Sequence, residues 1–170
     1  MVYATTEPTE ALLLGGHTAA LHVGRITQFG PTGEIYRRPD DVITAQVFSD
    51  PPMNTATARK QQDRIVLSDS VGWPAPERLA GLPDGPVTVG LRPHHVTRLP
   101  NGGLSAAIEG RVQITELSGS ESVIHFRHGD QGWVSQSHGL HPIQVGETAT
   151  FHASIDHCLY FAADGRRIGD

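Results

Sequence analysis

The chain has 170 residues, 38% hydrophobic and 18% charged, with 19 Gly and 12 Pro; it is too turn-rich for a helical bundle and too apolar for a disordered chain, and its length suits one core or two small ones. A net charge of −5, with no Lys/Arg run longer than two residues, excludes general attraction to a nucleic-acid backbone. The single cysteine, Cys158, excludes an internal disulfide and a cysteine-paired zinc site, and points to a reducing compartment such as the cytoplasm.

In chain order, Val2 to Thr5 reads as a short strand and Thr9 to Leu14 as a helix. Thr6 or Glu7 is placed to cap that helix, with Pro8 in the first turn, where its missing N–H costs nothing. The pair Gly15-Gly16 stops it. The longest apolar run here, Ala11 to Leu14, is far too short to span a bilayer, so a membrane role must come through a partner. "HTAALHVGRITQFG" reads as two strands joined by a tight turn at Val23-Gly24, "PTGEIYRRP" as a short helix, and "DDVITAQVF" as a second helix capped by Asp40 or Asp41. Ser49 to Asn54, with two prolines, is the expected boundary, giving an α/β piece at 1–49 and a second module at 50–170.

Beyond that boundary helix signals almost vanish. "RIVLSD", "PVTVGLRP", "HVTRL", "LSAAIEGRVQITEL", "SVIHFRH", "QGWVSQ", "ETATFHASI" and "CLYFAADG" are strand-like pieces separated by turn residues, which predicts a small β-barrel or sandwich. In "IEGRVQITEL" strict alternation would put Ile108, Gly110, Val112 and Ile114 on one face.

The ten histidines raise a metal reading at His94-His95, His125 and His128, His138 and His141, and Asp156 to Cys158. A metal site needs ligands that converge, and hydrogen-bonded or surface histidines are the simpler expectation. No Gly-x-Ser-x-Gly elbow supports a hydrolase. Arg92, in "GLRPH", either binds an anion or small regulator or ties down loop carbonyls or an acidic neighbour. Trp73 and Trp133 are expected to pack in the barrel, although the region of Trp133, like "ELSGSESVI", is also a candidate dimer surface.

The segments "TTE", "TEA", "GRITQFG", "EIYRRP" and "DPPMN", in this order and spacing, resemble the end of the nucleotide-binding domain of ABC importer ATPases of the maltose and sugar-uptake type. "VGLRPHHV" and "VQITELSGSESVIHF" resemble the C-terminal regulatory domain of the same family, the OB-like TOBE module. The wording "TTEPTEALLLGG" with "FSDPPMN" is most similar to ATPase subunits of glycerol importers. This resemblance implies a mainly β fold in which an OB-like regulatory domain follows a small α/β remnant of a nucleotide-binding domain. It implies ATP and magnesium in an intact parent, a like or unlike ATPase subunit and transmembrane permease subunits as partners, and a regulatory protein or metabolite acting on the β module. It also implies a place on the inner face of the cell membrane.

The family's phosphate loop is not found in the chain, whose one lysine is Lys60, and neither is the ABC signature. The chain alone is therefore expected to be non-catalytic, with no metal of its own. In the alignment that the resemblance implies, Thr6 stands where the family places a switch histidine that reaches the terminal phosphate of ATP. A threonine hydroxyl carries no charge and reaches less far. Arg92, His95, Ser118 and Ser120 are the candidates for contact with a regulatory ligand. The rival reading is a stand-alone β module that senses or stores a small ligand held in its barrel.

Overall fold

A computed structural model of the chain describes residues 1–169. The first part holds α1 (Pro8–Leu14), the hairpin β1 (His17–His22) and β2 (Arg25–Pro31), α2 (Thr32–Arg37) and α3 (Val42–Val47). Both turn residues of the hairpin, Val23 (φ 48°) and Gly24 (φ 74°), are left-handed, the geometry that matches the twist of a two-residue antiparallel connection. Asp41 caps α3, its Oδ1 accepting from the Thr44 N–H at 2.7 Å. Ala20, Ile35 and Phe48 form a small core here, with Ala11, Tyr36 and Val47 against it.

Residues 2–5, expected as a strand, form none. A strand needs a neighbour for its backbone groups, and here the side chains turn inward locally instead: the Tyr3 and Thr5 hydroxyls both donate to Glu10 Oε2, at 3.1 and 2.6 Å.

The second part contains β3 (Asn54–Gln61), β4 (Arg64–Val66), β5 (Gly72–Pro74), β6 (Gly85–Leu91), β7 (Val96–Thr97), β8 (Ser105–Leu117), β9 (Glu121–His128), β10 (Gln131–His138), β11 (Thr148–Ser154), β12 (Leu159–Phe161) and β13 (Arg167–Ile168). They build two antiparallel sheets, in the orders β10-β9-β8-β11-β7 and β13-β12-β6-β3-β4-β5. The edge strands β10 and β7 come back against each other, so the first sheet curls into a nearly closed, OB-like barrel. A single apolar core lies between the sheets, drawn from Ala56 to Tyr160.

Sequence alone does not reveal β3. Its inward positions are Asn54, Ala56, Ala58 and Lys60, two small residues flanked by polar ones, so the alternation carries almost no hydrophobic signal. Asn54 closes the fold: its amide donates to the Val134 carbonyl at 2.8 Å and its Oδ1 accepts from the Val134 N–H at 2.6 Å. A side chain thus supplies the backbone partner that the barrel edge lacks.

The alternation of β8 holds from Ile108 to Val112 and then breaks. A bulge between Val112 and Ile114 inserts one residue, and Ile114, expected inside, is 51% exposed. Trp133, at 2% exposure, packs in the core as expected. Trp73 is buried too, its Nε1 donating to the Tyr160 hydroxyl at 2.9 Å.

The Phe126 ring stacks on Phe151 with centroids 3.7 Å apart. It lies directly over Gly110, where an added Cβ would fall 2.2 Å from Phe126 Cδ2 and 3.0 Å from the Arg127 carbonyl oxygen. Neither the stacked ring nor the sheet backbone has room to give way. Gly110→Ala is therefore expected to destabilise the chain by about 1–3 kcal/mol, read as a lower midpoint in urea with an unchanged slope.

Candidate functional site

The two parts meet along the returning C-terminal stretch. The Val42 N–H donates to the Gly165 carbonyl at 2.9 Å, the Arg167 N–H donates to the Asp40 carbonyl at 2.8 Å, and Asp41 bridges Arg166 as a strand would. Ala45 of α3 packs with Met53 and Phe161.

The strongest single tie comes from Arg92. β6 ends at Leu91, Pro93 starts one turn of 3-10 helix through His95, and the extended backbone of Arg92 (φ −67°, ψ 147°) sends its side chain across to α2. Its guanidinium lies over the Tyr36 ring, 3.9 Å from the centroid, and Nη2 donates to the Tyr36 carbonyl at 2.7 Å. The residue is 8% exposed, and burial lowers its pKa, opposed by Tyr36. Nothing in a protein removes the charge from a guanidinium, so a buried cation stands at the junction.

Beside it the His95 ring stacks flat on His157, centroids 3.9 Å apart, with His94 4.2 Å away. Burial, then the charges of His94, His157 and Arg92, hold His95 down at about 3, and burial likewise lowers His94. The His95 ring is neutral at pH 7. Because the folded value lies below the ordinary 6.5, protonation favours the unfolded chain as pH falls from about 6.5 toward about 3.

Arg92 and His95 line a cleft of about 310 Å³ between the two parts. Tyr36, Arg37 and Arg38 at the end of α2 form its front wall. Arg78, the stretch from Asp156 to Tyr160, and Arg167 with Ile168 complete it. Arg92 thus both ties down a carbonyl, the ordinary role of an arginine in this context, and borders a basic recess. Sequence reasoning missed Arg38, Arg78 and Arg167, and read His157 only as part of a metal candidate, because they come from separate stretches of chain with no motif in common.

The other candidates lie elsewhere. Ser118 and Ser120 are exposed in the β8–β9 turn; Ser118 N–H donates to the Glu121 carbonyl at 3.0 Å, and the Ser120 carbonyl accepts from Gly139 N–H at 2.8 Å. Both close a turn and neither borders the cleft. Thr6 is exposed ahead of α1, away from the cleft lining. It is not the cap either. The N-cap is Glu7, which makes no side-chain capping bond; its own N–H donates to Thr5 Oγ1 at 2.9 Å.

Around Thr6 the hydroxyls of Tyr3 and Thr5 already point at the Glu10 carboxylate. That acidic setting does not fit nucleotide phosphates by itself, so no step through ATP or magnesium is derived from these residues. Among the described residues no three His, Cys, Asp or Glu side chains converge as a metal set. His128 instead contacts Ser68 Oγ at 2.9 Å and the Glu109 carbonyl at 2.7 Å, and His141 contacts the His138 carbonyl at 3.0 Å. Cys158 is 2% exposed, and burial pushes its thiol up to about 12, which leaves it protonated and unreactive. No helix among the described residues is long and apolar enough to cross a membrane.

Residues 89–161, from the middle of β6 to the end of β12, match the TOBE domain family. The chain carries a TOBE domain. Relatives extend the likeness in both directions from it. The sulfoquinovosyl glycerol transport ATP-binding protein of Agrobacterium fabrum is 35% identical over 134 residues, 76% of this chain and 37% of the relative. The sn-glycerol-3-phosphate import ATP-binding protein of Brucella abortus is 30% identical over 175 residues, covering 99% of this chain and 46% of the relative. The maltose/maltodextrin import ATP-binding protein of Salmonella typhimurium is 29% identical over 174 residues, 97% of this chain and 46% of the relative. The TOBE chain therefore spans less than half the length of these curated relatives, and it matches the C-terminal part of ABC importer ATP-binding subunits.

The buried His95 ring gives the TOBE chain a defined pH response. Its stability is expected to fall as pH drops through the window from about 6.5 toward about 3, and His95→Gln, which cannot take up the proton, is expected to flatten that slope while leaving stability at pH 8 little changed. Urea unfolding at a series of pH values reads both.

Proposed function

We propose that the chain is the C-terminal portion of the ATP-hydrolysing subunit of an ABC importer for a sugar or polyol, with glycerol-type solutes as the narrower choice. The observation that carries this reading is the near end-to-end correspondence with importer ATP-binding proteins, 97% to 99% of the chain in two of the relatives above. In this reading residues 1–49 are the end of a nucleotide-binding domain and residues 50–170 the regulatory domain. The subunit works with permease subunits on the inner face of the membrane, and this portion by itself turns over no ATP.

The first part supports the reading through what it leaves uncovered. Leu13, Leu21, Val23, Ile26 and Phe29 are 59% to 85% exposed on α1 and the β1–β2 hairpin, an apolar face of the sort that further protein covers. The barrel interior is filled by Trp133, Phe126, Phe151 and their neighbours. A packed interior favours the regulatory role over a ligand stored inside the barrel.

The regulatory domain holds two ATPase subunits together, like or unlike, while their nucleotide sites open and close, and takes input from a protein or a metabolite. The end of the β8–β9 hairpin fits the pairing surface: Ile114 and Leu117, on opposite faces of the strand after the bulge, are 51% and 48% exposed. Charging both faces with Ile114→Asp and Leu117→Asp together is expected to convert a dimer of the longer subunit to monomer in light scattering. A dimer that persists sends the pairing surface elsewhere. In that same longer subunit, Thr6→His tests the switch role that the resemblance implies for this position, and ATP turnover by the assembled importer is expected to rise. Unchanged turnover in the assembled importer removes the switch role of this position.

A further inference from the structure

The cleft at the junction concentrates positive charge in an acidic chain. Five of the 13 Lys and Arg residues line it, against one carboxylate among the described residues, that of Asp156, while the chain as a whole is −5. Asp156 is already engaged, its Oδ2 accepting from the Leu104 N–H at 3.0 Å. Arg37 pairs with Glu34 at 2.9 Å. Arg38, Arg78, Arg92 and Arg167 have no salt bridge among the described residues.

What these side chains touch is neutral. Arg92 donates to the Tyr36 carbonyl, Arg78 to the Cys158 carbonyl at 2.8 Å, and Arg167 to the Gly169 carbonyl at 2.7 Å. Each of these bonds uses one N–H of a five-donor fork. Nε of Arg92 and Nε of Arg167 are buried with no partner among the described residues. Arg92 is more than nine-tenths buried, so its charge has left water without gaining a counter-ion. Such a group is stable in place only because backbone carbonyls and the Tyr36 face share the load, and an oxyanion in the cleft would complete it.

We propose that this cleft binds a small, soluble phosphate monoester. The planar forks suit the bidentate geometry of phosphate oxygens, a match that point-charge lysines would not give. The volume of about 310 Å³ admits a monoester. Tyr36, Leu159 and Ile168 give an apolar wall for the carbon skeleton, and the His95–His157 stack adds ring nitrogens for a hydroxyl. Its walls come from both parts of the chain, so a bound anion cross-links α2 to the β module and stabilises their docking by linkage. This site deepens the regulatory role proposed above by naming its metabolite class, yet it rests on the cleft's geometry alone. Failure to bind leaves the importer assignment standing.

The test titrates the 170-residue chain calorimetrically with inorganic phosphate and with glycerol 3-phosphate at constant ionic strength, and follows the melting temperature alongside. Saturable binding at one site, with a rise in melting temperature, is expected for both, the monoester tighter. Arg38→Gln and Arg78→Gln are each expected to weaken binding about tenfold, the loss of one charge-assisted hydrogen bond. Arg166→Gln, outside the cleft, is expected to change nothing. These two cleft arginines are exposed, so their variants fold whether or not Arg92→Met does. Four results overturn the proposal: no saturable binding at millimolar ligand, equal binding of chloride, equal loss in Arg166→Gln, or capture by phosphatidic acid vesicles without binding of either soluble ligand.

Discussion

The arrangement of this molecule depends on one buried cation. The guanidinium of Arg92 leaves the end of a core strand, crosses to the first part of the chain, and settles on the ring and carbonyl of Tyr36. A charge in that place needs oxygen lone pairs and an electron-rich face, and Tyr36 supplies both from a single residue. The turn of 3-10 helix set by Pro93 and the stack of His95 on His157 lie beside it. The basic cleft is the space left over where these elements cannot close completely.

The junction and the core solve different problems. The core is a dry layer of β-branched and aromatic residues, with Phe126 between Gly110 and Phe151, and its tolerance is limited by volume. The junction is polar, and its tolerance is limited by electrostatics. Backbone bonds from Asp40, Val42 and Gly165 hold it in register, while Ala45, Met53 and Phe161 give it a small apolar floor. Two such parts can be coupled by a ligand in a way that two halves of one core cannot, because the cleft between them has room and unspent donors.

Much of the architecture was legible from residue order. The hairpin at Val23-Gly24, the helices before Pro39 and after Asp41, and most strands of the β module follow from turn chemistry and period-two patterns that act locally. Where the reading failed, a non-local partner decided. Residues 2–5 form no strand because nothing lies beside them; β3 forms from weak residues because β6 and β4 pair with it on both sides. Ile114 faces outward because a bulge, which leaves no mark in the sequence, shifts the register after Val112.

By itself, the sequence determined the class of fold, the kinship with importer ATP-binding subunits, and the singling out of Arg92 and His95, because motif order, turn residues and an arginine before a proline are properties of neighbours in the chain. Only the tertiary structure decided that Ser118, Ser120 and Thr6 stand apart from these two, and that Arg38, Arg78 and Arg167 join them around one cleft. Charge adds up across space, and the residues that make a site are assembled by the sheets and turns between them.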